Sequence, residues 1–184
     1  MRKILLTAAG LETPRIREAF LGLLAVPPEQ TKALFIPTAA QDADAIAVLP
    51  ACMEDLLHAG IPKENIAVFD LHRPMAEEEL QAFDVVYFTG GRTQYLLDRI
   101  NDTGFDKTLA RFVARGGIYL GVSAGSLIAA NNLPHNLGYI DAELHVHAQT
   151  GTPHGMVTPC AGLSIYLTNQ DALLLLDDTA QILG

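Results

Sequence analysis

The stretch GIYLGVSAGSLIAA, Gly117 to Ala130, decides how this chain folds. Gly117 to Gly121 is apolar and short, as a buried strand is, whereas Ser126 to Ala130 is helix-prone. Between them lies Gly121-Val122-Ser123-Ala124-Gly125, a G-x-S-x-G sequence at a strand-to-helix junction. A sharp turn there strains its apex residue, the flanking glycines remove clashes, and the serine oxygen is presented above the sheet. Ser123 is therefore a candidate nucleophile. The plainer reading is that small residues merely let a helix pack closely on a strand.

Upstream, the same alternation of strand and helix recurs. Lys3 to Thr7 reads as a buried strand. Thr13-Pro14 then reads as an N-cap with proline at the first helical position, and Ile16, Ala19, Phe20 and Leu23 share one face until Pro27-Pro28. Lys32 to Pro37 is a strand, Asp42 to Ala59 a helix broken near Pro50, and Asn65 to Asp70 a strand. A short acidic helix around Ala76 to Ala82 precedes the strand Asp84 to Phe88, and helices follow at Thr93 to Ile100 and Phe105 to Arg115. Strands that are apolar throughout, separated by amphipathic helices, predict an α/β fold. Its form would be three-layer and doubly wound, a mostly parallel sheet with helices on both faces. Beyond Asn131 the apolar runs shorten to Leu163–Leu167, Ala172–Leu176 and Ala180–Leu183, and the last two, joined by Asp177-Asp178-Thr179, predict a C-terminal β-hairpin.

The 184 residues match one domain, with 49% hydrophobic and 18% charged residues, enough apolar surface for a core. Twelve Lys and Arg against 21 Asp and Glu leave a net charge of −9, the wrong sign for nucleic acid or anionic lipid. No apolar run approaches the roughly 20 residues of a membrane span, and the apolar start breaks at Gly10 and Glu12, short of a signal sequence. Cys52 and Cys160 have no CxxC spacing, so a reduced, cytoplasmic protein is expected. A homo-oligomer is compatible with this composition. No Lys or Arg follows Arg115, whereas four of the six histidines do.

Gly90-Gly91 follows the strand Asp84 to Phe88, so it falls at the same carboxyl edge of a parallel sheet as Ser123, where open α/β sheets place ligands. Backbone N–H groups of Gly91 and of Ala124 could converge there on the oxygen of a tetrahedral intermediate. A serine also needs a base. His58 and His72 read as surface residues, and His135 and His154 lie in polar loops. In AELHVHA, Glu143, His145 and His147 alternate, so on a strand they share one face and one imidazole could reach Ser123. His-x-His could instead hold zinc, with a third ligand from His135, His154, Glu143 or Cys160, none at a diagnostic spacing.

Four segments together, FIPTAA at Phe35–Ala40, YFTGGRTQYLL at Tyr87–Leu97, YLGVSAGSLIAA at Tyr119–Ala130 and LGYIDAELHVH at Leu137–His147, carry a resemblance over the whole chain. The chain resembles the dipeptidase E and cyanophycinase family of serine peptidases, which have a class I glutamine amidotransferase-like fold. The resemblance implies Ser123 as nucleophile, His147 as base, and Gly91 and Ala124 as oxyanion donors. It also marks departures. Arg92 stands after Gly90-Gly91 where the family usually has Asn, which makes Gly90 and Arg92 candidates for substrate binding. The acidic triad position, two residues after a leucine, falls on Asn169, with Asp171 the nearest acid. Gln149 stands where glutamine amidotransferases place a Glu two residues after their His. The basic segment that holds an acidic substrate side chain is absent, so a strict preference for N-terminal Asp does not carry over.

The expected function is a serine hydrolase that cleaves an amide bond of a small peptide-like substrate through an acyl-enzyme, with neither metal nor organic cofactor. Arg92 is the candidate partner for a substrate carboxylate. The alternatives are a non-hydrolytic binding or regulatory module, favoured by Asn169 at the acid position, and an α/β-hydrolase esterase. An esterase would need its acid between Ser123 and His147, where only Asp141 and Glu143 occur.

Overall fold

Side chains that alternate along four central strands supply both faces of one sheet. In the computed structural model, which describes residues 1–184, the parallel strands are β1 (Lys3–Thr7), β2 (Ala33–Ile36), β3 (Ile66–Val68), β4 (Val85–Phe88) and β5 (Ile118–Val122). Ile4, Leu6, Leu34, Ile36, Val86, Phe88 and Tyr119 face one core, and Leu5, Ala33, Phe35, Val85, Tyr87 and Leu120 face the other. Burial on both faces explains why the four central strands β1, β2, β4 and β5 are apolar throughout.

Helices α1 (Pro14–Leu23) and α3 (Leu49–His58) cover the second core through Ile16, Phe20, Leu23, Cys52 and Leu56. The short α2 (Ala43–Ala47) precedes α3, and the break falls at Val48, two residues before Pro50. The first core is covered by α4 (Glu77–Leu80), α5 (Thr93–Asp102) and α6 (Phe105–Ala114), through Leu80, Leu96, Ile100, Leu109 and Phe112. Thr13 caps α1 by accepting from the Ile16 N–H at 3.2 Å. The expected three layers are present.

After β5, α7 (Ala124–Leu127) is only four residues long, because Ala129 and Ala130 N–H groups turn to the Ser126 and Leu127 carbonyls. β6 (Glu143–His145) pairs with β8 (Ser164–Tyr166) in a separate parallel pair. β9 (Ala172–Leu176) and β10 (Thr179–Leu183) form the expected hairpin and extend the main sheet antiparallel to β1. With β7 at Gly155–Val157, the strand order is β3-β2-β4-β5-β1-β9-β10-β7. β7 (Gly155–Val157) is absent from the sequence expectations, since three residues between Pro153 and Pro159 carry no alternation and only pairing with β10 makes them a strand. The strand expected over Asn65–Asp70 is trimmed to Ile66–Val68, since Asn65 closes a 3-10 turn and the strand sits at the sheet edge. No helix is long and apolar enough to cross a membrane. β4, β5 and β1 are neighbours, so their carboxyl ends open onto one place.

Candidate active site

Ser123 follows β5 directly, with φ 50° and ψ −107°, a conformation non-glycine residues avoid. Buried bonds over-determine it. The Ser123 N–H donates to the Thr7 carbonyl at 3.0 Å, and its own carbonyl accepts from Ser126 and Leu127 at 2.8 and 3.0 Å. Behind it the buried Ser126 hydroxyl accepts from the Thr7 N–H at 2.9 Å and donates toward the Thr7 and Gly121 carbonyls at 2.7 and 2.8 Å. Sequence reasoning missed Ser126 and Thr7; the signal was a second serine one helical step past the apex, facing the strand. Ser123 is thus held by β1, β5 and α7 together.

The end of β4 supplies the facing loop. Gly91 has φ +135°, and a Cβ there would lie 2.0 Å from the Ala39 carbonyl oxygen, so only glycine lets the loop press onto the segment after β2. The Arg92 N–H donates to that carbonyl at 2.7 Å, which pins the loop. The Gly91 N–H has no hydrogen bond within the protein, and Ala124, at the first helical position, is one of the N–H groups a helix leaves open. Gly90, Gly91, Ser123 and His147 line one cavity of about 390 Å³. Its far wall is Ala45, Val48, Ala51 and Cys52, with the carboxyl groups of Glu12 and Asp55.

Glu12 and Asp55 were not anticipated. Asp55 lies three residues after Cys52 and four before Ala59, on the buried stripe of α3, which is the legible sign. Burial pushes its carboxyl up to about 6, against the lowering effect of the Tyr87 hydroxyl, which donates to Oδ2 at 2.6 Å. Burial likewise raises the Cys52 thiol.

His147 does not belong to the strand expected for it. β6 ends at His145, and His147 has φ 57°, so the alternation over Glu143, His145 and His147 stops short. His145 stacks on Tyr166, ring centroids 4.5 Å apart, while the His147 ring turns to the elbow. There His147 Nε2 lies 3.1 Å from Ser123 Oγ and Nδ1 lies 2.7 Å from Asn169 Oδ1. An amide oxygen only accepts, so Nδ1 carries the proton and Nε2 offers its lone pair to the serine hydroxyl. The Ala148 N–H donates to Leu167 O at 3.0 Å and Leu167 N–H to His145 O at 2.8 Å, tying the two segments together.

Asp171 is not a partner of His147. It is buried and pairs with His154 Nε2 at 2.8 Å through Oδ1, while Oδ2 accepts from the Thr168 N–H at 2.8 Å. Burial alone would raise its carboxyl, but the bonds from Thr168 and His154 outweigh that and hold it below the usual carboxylate range. Arg92, the expected partner of a substrate carboxylate, is exposed and does not line the cavity. It stands at the N-cap of α5, without a side-chain capping bond. No three His, Cys, Asp or Glu residues are grouped as a metal site would require.

Fold and site together define an α/β protein with a serine at a strained strand-to-helix elbow and a histidine beside it. Residues 4–145 match the profile of Peptidase family S51, and the chain belongs to that family. An uncharacterized peptidase of Listeria monocytogenes is 31% identical over 101 residues, 55% of this chain and 49% of that protein. One of Pasteurella multocida is 25% identical over 108 residues, 59% of this chain and 52% of that protein. The chain thus spans about half the length of the curated relatives it matches. A crystal structure of a Listeria monocytogenes protein described as a peptidase E superposes with a TM-score of 0.78 at 19% identity, over 100% of this chain and 98% of that one. A peptidase from an acI-B1 Actinobacterium gives 0.72 at 17% identity, over 100% of this chain and 88% of that one. These likenesses show the fold. The family match ends two residues before His147, so the pairing with Asn169 rests on the geometry of this chain.

Proposed function

We propose that residues 1–184 act as one serine-type hydrolase domain that cleaves a small peptide or amide substrate through an acyl-enzyme. The observation that carries this reading is the run Ser123 Oγ, His147 Nε2, His147 Nδ1, Asn169 Oδ1, at 3.1 and 2.7 Å. Ser123 Oγ attacks the carbonyl carbon as His147 Nε2 takes its proton. The Gly91 and Ala124 N–H groups receive the oxyanion, each such donor contributing about 3–4 kcal/mol. His147 returns the proton to the leaving nitrogen, and water then reverses the sequence on the ester. Asn169 holds the tautomer and the ring, as neutral acceptors do in other triads, but adds no negative charge to steady the imidazolium.

The cavity narrows the substrate. Its lining contains the carboxyl groups of Glu12 and Asp55 and no Lys or Arg. An acidic group placed there meets like charge, whereas an apolar or cationic one meets Ala45, Val48 and Ala51 or an opposite charge. The esterase order is disfavoured because the Asp141 carboxyl is taken by Asn131 Nδ2 at 2.5 Å and Glu143 lies 3.8 Å from His145. The reading is tested with a fluorophosphonate, which phosphonylates an activated serine. One adduct per chain, mapped to Ser123 and absent from Ser123→Ala, is the expected result. An unlabelled protein would leave the binding-module alternative as the better description.

A further inference from the structure

His147–Asn169 is the inner of two parallel rungs. The segment 147–154 and the segment 168–171 are bridged twice, by His147 Nδ1 to Asn169 Oδ1 at 2.7 Å and by His154 Nε2 to Asp171 Oδ1 at 2.8 Å. The inner acceptor is an exposed amide; the outer acceptor is a buried carboxylate.

An exposed asparagine on a short loop has rotamer freedom to lose before it can orient a ring. Here the loop is closed by reciprocal bonds. Asp171 Oδ2 accepts from the Thr168 N–H at 2.8 Å, the Asp171 N–H donates to the Thr168 carbonyl at 3.2 Å, and the Gln170 N–H donates to Thr168 Oγ1 at 3.2 Å. Asn169 sits in the middle of that ring of bonds. The opposite wall is cut to fit, since a Cβ on Gly151 would lie 2.4 Å from Asp171 Oδ2. His154 then meets the remaining carboxylate oxygen and carries the constraint back to the chain that bears His147.

We propose that Asp171, held by His154, is a positioning residue that fixes the Asn169 amide against His147 Nδ1, so that a carboxylate placed one residue pair further out maintains the tautomer an adjacent acid would otherwise impose. This rests on the serine-hydrolase reading for its catalytic meaning, but the orientation itself can be read without activity. Two features distinguish it from general bracing of the loop. It acts only through Asn169, and it depends on a hydrogen-bond donor at position 154 rather than on the imidazole.

The test measures the rate at which a fluorophosphonate labels Ser123 in Asp171→Ala, Asn169→Ala and the double variant. It also measures the His147 ring-nitrogen chemical shifts by NMR in the same proteins. Asp171→Ala should slow labelling about tenfold, the size of one lost orienting hydrogen bond. It should also move His147 from the Nδ1–H form toward a mixture of tautomers. The same change made on Asn169→Ala should add less than about twofold, because the residue it positions is gone. His154→Ala should resemble Asp171→Ala, and His154→Gln, which keeps a donor, should restore the rate and the tautomer. Full additivity of the two losses, or an unchanged His147 tautomer in Asp171→Ala, would overturn the proposal. If the wild-type protein resists labelling, the hydrolase reading fails, and the NMR comparison alone decides the positioning role.

Discussion

The elbow that carries Ser123 and the loops that carry His147 and Asn169 are built by opposite means. Ser123 is fixed by its own backbone bonds to Thr7, Ser126 and Leu127, and behind it the buried Ser126 hydroxyl ties Thr7 to Gly121, among strands that are themselves buried. His147 and Asn169 are exposed, and they reach Ser123 from a two-stranded pair and irregular chain held by a few hydrogen bonds. A strained residue persists only where the surroundings over-determine it, which is what the sheet edge supplies. His147 and Asn169 lie outside the two cores, so altering them is expected to leave the fold in place. The difference separates where stability is stored from where the proposed proton transfer would be arranged.

That separation is easiest to break with one substitution on each side. His147→Ala is expected to lower reaction at Ser123 by about 10⁶-fold, as loss of a triad base does, with a thermal midpoint unchanged to within about a degree. Ser126→Ala should do the reverse. It leaves the Thr7 N–H buried without a partner, a loss of about 1–3 kcal/mol, read as a fall in the denaturant midpoint with an unchanged slope. A large stability loss in His147→Ala would show that the C-terminal loops support the fold.

A smaller effect tests the cavity wall. Asp55 titrates near 6 in the folded chain and near its ordinary value of 3.8 when unfolded. Between those values the native state binds more protons than the unfolded one, so stability should fall as pH rises from 3.8 to about 6 and level off above. Asp171 acts in the opposite sense and lower down, its contribution being present above the unfolded value and lost as pH falls through its depressed one. Urea midpoints measured across this range should lose the upper slope in Asp55→Asn and keep it in Asp171→Asn.

The smallest expected effect concerns charge at the cavity wall and at the α5 cap. On a dipeptide panel, Glu12→Gln should raise kcat/KM for acidic substrates about fivefold, the equivalent of relieving roughly 1 kcal/mol of repulsion. Arg92→Ala should change acidic and neutral substrates by less than about twofold each, as exposed charges usually do. Selective loss of acidic substrates in Arg92→Ala would place the carboxylate partner there after all and move the specificity from the cavity wall to the α5 cap.

The sequence by itself determined the parallel sheet and its two coats of helices, because burial on both faces demands continuous apolar strands and each helix carries its caps and stripe locally. It also singled out Ser123, since a G-x-S-x-G at a strand-to-helix junction is a local pattern with a local cause. The terminal hairpin was legible for the same reason, two apolar runs around Asp177-Asp178. Local pattern ended at β6. Alternation suggested that Glu143, His145 and His147 share a face, but the strand stops at His145 and a positive φ re-aims His147, a choice made by the bonds between His145, Ala148 and Leu167. The resemblance offered both Asn169 and Asp171 beside His147, and only the tertiary structure decided between them, giving Asn169 to His147 and Asp171 to His154, because both pairings close loops of about twenty residues whose geometry no local propensity encodes. The tertiary structure alone showed that Glu12 and Asp55 face the cavity while Arg92 does not, since which way a side chain points at a sheet edge depends on the elements packed against it.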